Sequence, residues 1–174
     1  MVLNRNCQLV IFDLDGTLHT FKDIDSSNAS LSSDILNMIL FLKQKNIKIA
    51  LASLNSEAAY YLKKYKILHF FDFVQYKNWT IKGNFKSDLF KEIHESSKIP
   101  YKNMVFFDDK LVYCEEAMNL EIKAVIVDQF KLITWEDLFL GLDYFTDSVA
   151  YQNKSTQTTK KFTRYKKRKF EMIN

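Results

Sequence analysis

The chain has 174 residues, 47% of them apolar, and a formal net charge of +4. That is enough for one domain with a sizeable core, and it excludes a chain disordered over most of its length. The charge is uneven: residues 154–174 carry eight Lys/Arg and one acidic residue, so residues 1–153, with 17 basic and 20 acidic groups, are slightly acidic.

The first apolar run, "QLVIF" at 8–12, is continuous, as expected for a strand buried on both faces. It ends in Asp13 and Asp15, and Gly16 then allows a sharp turn. "TLHTFKDIDSSNAS" reads as a polar loop. Ser32 or Ser33 is a cap for a helix whose Ile35, Met38, Ile39 and Leu42 follow helical spacing. "IKIALAS" (47–53) is a second strand. Asn55 or Ser56 is expected to cap the next helix, with Ala58, Tyr61, Leu62 and Tyr65 on one side. The tyrosines Tyr60, Tyr61 and Tyr65 read as a packed helix face.

Residues 67–85 are rich in aromatics, with one short strand near Phe73–Gln75. Ser87 or a neighbour opens a helix that turns Leu89, Phe90 and Ile93 inward. Pro100 breaks the chain before "NMVFF" (103–107), a third clear strand. A helix over about Leu111–Met118, the strand "IKAVIV" (122–127) and a helix capped by Thr134 complete the pattern. Strands alternating with helices predict an α/β fold with a parallel central sheet covered on both faces, a three-layer Rossmann-like arrangement.

Other features bound the class. No apolar run approaches the roughly 20 residues needed to cross a bilayer, so no membrane partner is expected. The N-terminal apolar stretch is too short for a signal-peptide core and no small-residue cleavage site follows it. Cys7 and Cys114 match no metal spacing and fit buried thiols in a reducing compartment. An intracellular protein, cytoplasmic or nuclear, is expected.

In a parallel α/β sheet, ligands bind beyond the carboxyl ends of the strands. Asp13 and Asp15, Ser53, Lys86, and Asp108 with Asp109 all fall at such ends, with Lys82 a competing lysine. Carboxylates gathered on one rim repel unless one protonates or a cation binds. Hard oxygen ligands with room for water and substrate suit Mg²⁺. Lys86 and Ser53 then make sense as phosphate partners. The bland alternatives are a turn for the Asp13/Asp15 pair, helix caps for Ser53 and Asp108/Asp109, and a solvated lysine. His19, His69 and His94 read as surface or packing residues.

"DLDGTL", Ser53, Lys86 before a helix and "FFDD", in that order over about residues 8–128, resemble the four motifs of the haloacid dehalogenase superfamily of phosphohydrolases. Within it, "VFFDD" and the short spacings look most like the eukaryotic-type magnesium-dependent phosphatases. The resemblance implies Asp13 as the nucleophile that forms an aspartyl-phosphate and Asp15 as the general acid and base. It implies Thr17 as a residue orienting that loop, and Ser53, the amides of Leu54 and Asn55, and Lys86 as phosphate-holding groups. Mg²⁺ would be held by Asp13, the backbone carbonyl of Asp15, and Asp108. Asp109 would be a further ligand through water or a partner of Lys86. A carboxylate at Asp15 points to a phosphatase or phosphomutase within the superfamily. The sequence departs from the related phosphatases at Leu54, where they carry Arg, at Tyr113, where they place Asn, and at His19, where an aromatic is common. The reaction class is therefore implied, and the substrate preference is not.

Neither gap that hosts a cap domain in relatives has room for one here, so an open, capless site is expected. It would admit phosphosugars, phosphoproteins or phosphorylated nucleic-acid ends. The expected division is a phosphatase domain at 1–150 and a basic, flexible tail at 151–174. "KKFTRYKKRKFE" in that tail, with Phe162, Tyr165 and Phe170 interleaved, fits a nucleic-acid grip, a nuclear signal or a solvated tail. The alternatives to a generic phosphomonoesterase are a polynucleotide end phosphatase using this tail and a non-catalytic binding protein on the same fold.

Overall fold

Five short strands, all parallel, form one sheet in the order β3-β2-β1-β4-β5. They are β1 (Leu9–Phe12), β2 (Lys48–Ser53), β3 (Phe73–Tyr76), β4 (Met104–Asp108) and β5 (Lys123–Ile126). A computed structural model describes residues 7–20, 31–77 and 85–142. All belong to the compact unit Asn4–Asp143, and the second unit, Met1–Leu3 with Tyr144–Asn174, contains no described residue. The tail, the polar loop at 21–30 and Lys82 therefore lie outside the described residues.

The central strands are apolar on both faces because helices cover both. On one side, Leu9, Ile11, Ala50, Ala52, Met104 and Phe106 meet Leu89, Phe90, Ile93 and Ala117 of α3 (Ser87–Ser97) and α4 (Leu111–Asn119). The alternate residues face the other way. There α1 (Ser33–Gln44) and α5 (Trp135–Gly141) contact each other, α1 lies against β2, and α5 lies against β4 and β5. Phe12 and Phe107 stack on that face at 5.6 Å. Gly141 lets α5 approach, since a Cβ there would lie 2.9 Å from Val105 Cγ1 and closer still to the Phe107 ring.

Helix starts follow the expected chemistry in two places. Ser32 Oγ accepts the Ile35 amide, and Thr134 forms a full capping box with Asp137. One expected cap is corrected: the N-cap of α2 (Ala58–Lys64) is Glu57, not Asn55 or Ser56, and it makes no side-chain cap bond. α3 opens at Ser87 as expected, with Lys86 as its N-cap, and the Lys86 and Ser87 amides donate to Glu116 Oε2 at 2.7 and 2.9 Å. A carboxylate from α4 thus neutralises the positive end of α3. Tyr60 is 59% exposed, whereas Tyr61 and Tyr65, four residues apart, are buried. Single helical turns at Leu68–Phe70 and Tyr101–Asn103 were not expected from the sequence. Of the two cysteines, Cys114 is buried and Cys7 only half-buried. Among the described residues, no helix is long and apolar enough to cross a membrane.

The strand order reverses at β1: the chain builds outward to β3, then returns to place β4 on the other side of β1. That reversal opens a crevice between the carboxyl ends of β1 and β4. Phe12 is in register with Phe107, and the Asp13 amide donates to Phe107 O at 2.9 Å. Asp13 and Asp108 are therefore delivered side by side.

Candidate active site

Three carboxylates and one ammonium meet in that crevice. Lys86 Nζ donates to Asp13 Oδ1 at 2.5 Å and to Asp108 Oδ2 at 2.6 Å. All three groups are buried, with Lys86 only 1% exposed. The ammonium also lies 4.8 Å over the Tyr113 ring and 5.3 Å over the Phe106 ring. Tyr113, noted in the sequence only as a departure, is thus a lining residue of the lysine. The structure pairs Lys86 with Asp108, not with Asp109 as one expectation had it.

Asp109 turns its carboxylate toward Gly16, whose φ of 77° is the left-handed conformation glycine tolerates. A Cβ on Gly16 would stand 2.8 Å from Asp109 Cγ, so the close approach also requires glycine. Asp109 Oδ1 is buried without a hydrogen-bond partner. One oxygen each from Asp13, Asp108 and Asp109 lie within 4.8 Å of one another. One lysine cannot balance three carboxylates, and an orphaned buried oxygen costs free energy. A hard divalent cation fits this donor set.

The electrostatics agree. Burial raises the Asp13 carboxyl above its ordinary range, against the pull of Lys86. Burial pushes Asp108 up to about 7, with Lys86 opposing and Asp13 reinforcing. For Lys86 burial disfavours the ammonium, but Asp13 and Asp108 outweigh it and hold the pKa above its ordinary value.

Asp15 is in different surroundings. Its side chain is outside the three-carboxylate group. Asp15 Oδ1 lies 2.8 Å from His19 Nε2, and Asn55 Nδ2 donates to Oδ1 and Oδ2 at 3.3 and 3.1 Å. Burial raises this carboxyl, but the hydrogen bonds from His19 and Asn55, with the charge of Lys86, bring it below its ordinary value. His19 is 2% exposed and its Nδ1 is 2.7 Å from the Tyr65 hydroxyl. The histidine read as a packing residue is buried, and it also touches the proposed acid. The four-residue spacing in "DGTLH" was the available signal; nothing in the sequence pointed to Tyr65.

Ser53 is buried at the end of β2, and its hydroxyl accepts the Asn55 amide at 3.2 Å. A phosphoryl oxygen would have to share or displace that bond. Asn55 Oδ1 accepts the Glu57 amide at 2.9 Å, so the 53–57 turn is tied at both ends. Leu54 packs partly against the core under α3 and α4. Thr17 is buried, its carbonyl accepts the Ile133 amide, and its Oγ1 has no partner.

This fold, with paired carboxylates at the crossover of a parallel sheet, is that of the haloacid dehalogenase-like phosphatases, and known structures share it. β-Phosphoglucomutase from Clostridium difficile superposes with a TM-score of 0.61 at 17% identity, covering 91% of this chain and 98% of its own. CbbY from Rhodobacter sphaeroides, solved with phosphate, gives 0.60 at 12% identity, covering 79% and 100%. A haloacid dehalogenase family enzyme from Bacteroides thetaiotaomicron, solved with magnesium and inorganic phosphate, gives 0.58 at 14% identity, covering 76% and 99%. No curated protein matches the sequence. The model of the Acid Phosphatase family matches residues 19–148, and the chain belongs to that family of phosphatases. Asp13 and Asp15 lie just before the matched span. The eukaryotic-type subgroup suggested by "VFFDD" remains an expectation.

Proposed function

We propose that the chain is a Mg²⁺-dependent phosphomonoester hydrolase that works through an aspartyl-phosphate on Asp13. One observation carries the reading: two carboxylates of a single turn are held in opposite environments. Asp13 sits against Lys86 and the acidic group, while Asp15 is drawn aside by His19 and Asn55. Environments that separate two carboxylates in this way support separate roles for them.

In this reading an Asp13 oxygen attacks phosphorus, and the bond to the leaving oxygen breaks. The electron pair of that bond goes to the leaving oxygen, which takes a proton from Asp15. Asp15, ionised in the free protein, takes up that proton from solvent as substrate binds, since the negative phosphate raises its pKa. Asp15 then takes a proton from the water that hydrolyses the phosphoaspartate. Lys86 holds Asp13 in place and, with Ser53 and the Leu54 amide, neutralises phosphoryl oxygens. Thr17 Oγ1 is a further donor for the same loop. Asp13, Asp108, Asp109 and the Asp15 carbonyl would hold Mg²⁺, which supplies charge neutralisation between carboxylate and phosphate. The substrate class is a phosphorylated small molecule, in keeping with the xylulose-(1,5)bisphosphate bound by a variant of CbbY.

Phosphate release from an aryl phosphate, with and without Mg²⁺, tests the reading on the full chain and on Asp13→Asn. Metal-dependent turnover that disappears in the variant is expected. Equal turnover by Asp13→Asn would refute the nucleophile assignment.

A further inference from the structure

The haloacid dehalogenase chemistry leaves a buried imidazole beside Asp15 without a task. His19 is enclosed in the turn that carries the aspartates, with both ring nitrogens engaged. We infer that His19, steadied by Tyr65, is a positioning residue for leaving-group protonation, aiming Asp15 at the leaving oxygen. The inference rests on the reading of Asp15 as the general acid.

The turn is built to bring the imidazole there. Gly16, in its left-handed conformation, donates its amide to His19 O at 2.8 Å. The Leu18 and His19 amides both donate to Leu14 O, at 2.9 and 3.2 Å. The chain therefore doubles back within five residues and sets His19 beside Asp15. The Tyr61 and Tyr65 rings meet the imidazole edge-on, at 5.2 and 5.7 Å between centroids.

Packing alone does not account for a histidine here. A Phe or Leu would fill the same apolar niche, whereas burying an imidazole is costly unless both nitrogens are bonded. The bonds also set direction. With the Tyr65 hydroxyl donating to Nδ1, Nε2 carries the hydrogen and donates to Asp15 Oδ1. Oδ1 is then occupied by His19. Oδ2 accepts from Asn55 and keeps a second position for the transferred proton. After the leaving oxygen takes that proton, the Asp15 carboxylate is already held by the His19 N–H. Tyr65 lies on the helix-side wall, so the ring's orientation depends on a residue 46 positions away.

The test uses leaving groups of different quality, because only poor ones need a proton. Turnover is measured on an alkyl phosphate and on a dinitrophenyl phosphate for the wild type, His19→Phe, His19→Gln and Tyr65→Phe. His19→Phe is expected to lower kcat/KM, which reports the steps up to leaving-group departure, by about 100-fold on the alkyl ester, as for a misplaced catalytic group, with little change in kcat/KM on the activated ester. KM should hardly move. His19→Gln, which places an amide N–H near the position of Nε2, should recover part of the alkyl turnover. Tyr65→Phe, which keeps the ring, gives the same leaving-group dependence if His19→Phe does not fold. An equal loss of kcat/KM on both esters would overturn the inference and leave His19 a packing residue. Failure of the underlying reading looks different: Asp13→Asn would then retain turnover, or Asp15→Asn would show no leaving-group dependence in kcat/KM.

Discussion

Replacing Lys86 by Met keeps the aliphatic stem and removes a cation bonded to two buried carboxylates. The ammonium contacts Asp13 and Asp108 at 2.5 and 2.6 Å, and neither Lys86 nor Asp108 is more than 1% exposed. Breaking a buried pair by deleting one partner costs about 3–5 kcal/mol, because the stranded charge has no water to replace it. The sign with pH follows from the carboxyls. Both are raised above their ordinary value in the folded protein, so the stability they contribute is present at low pH and is lost as pH rises through the folded value, about 7 for Asp108. Lys86 is what opposes that rise, so its removal moves the value higher still. The deficit of Lys86→Met relative to wild type should therefore be small at about pH 5 and approach its full size at about pH 8.5. Urea unfolding at the two pH values measures it, with and without Mg²⁺. The cation should return part of the lost stability at the higher pH, since it binds the same oxygens only in the folded state. An equal deficit at both pH values would refute this account, since Met keeps the stem and the predicted pH dependence comes from the two carboxyls. No response to Mg²⁺ would remove the case for a cation among Asp13, Asp108 and Asp109.

Three other changes test the frame around the site. Gly16→Ala places a Cβ 2.8 Å from Asp109 Cγ at a φ of 77°, so Asp109 must move. The Mg²⁺ concentration for half-maximal turnover should rise about 10-fold or more, and an unchanged metal response would refute the Asp109 assignment. Asp72→Ala removes the acceptor of Lys43, Lys48 and the Ile49 amide and should cost about 1–2 kcal/mol near neutral pH, the lysines' share being screened by solvent. Burial raises Asp72, but those partners outweigh it and hold it below its ordinary value. Its stabilisation is thus present above the unfolded pKa and lost as pH falls through the lower folded one, and the wild-type advantage should vanish in acid unfolding curves. Gly141→Ala drives a methyl into Phe107 and Val105 and should cost about 1–3 kcal/mol in urea unfolding.

Much of the fold was written in local pattern. Continuous apolar runs marked β1, β2 and β4, because strands covered on both faces have no polar side to show. Helical spacing marked Ile35, Met38, Ile39 and Leu42, all of which are buried. Asp13, Asp15, Ser53, Lys86 and Asp108 were picked out because each is polar at the end of an apolar strand or the start of a helix. The segment 67–85 was hardest to read: 78–84 lie outside the described residues, and β3 is a half-buried edge strand without the signature of a central one.

What the sequence by itself determined was the order of elements and the residue types delivered to the sheet's carboxyl edge, since both depend on periodicity and turn chemistry within a few residues. The tertiary structure alone decided the partners. Lys86 chose Asp108 over Asp109, Glu116 reached the first amides of α3, Asn55 joined the start of α2 to Asp15, and Tyr65 reached His19. Those choices were not legible because a side-chain contact depends on the distance between separate elements, and that distance is set by packing α2, α3 and α4 around the sheet.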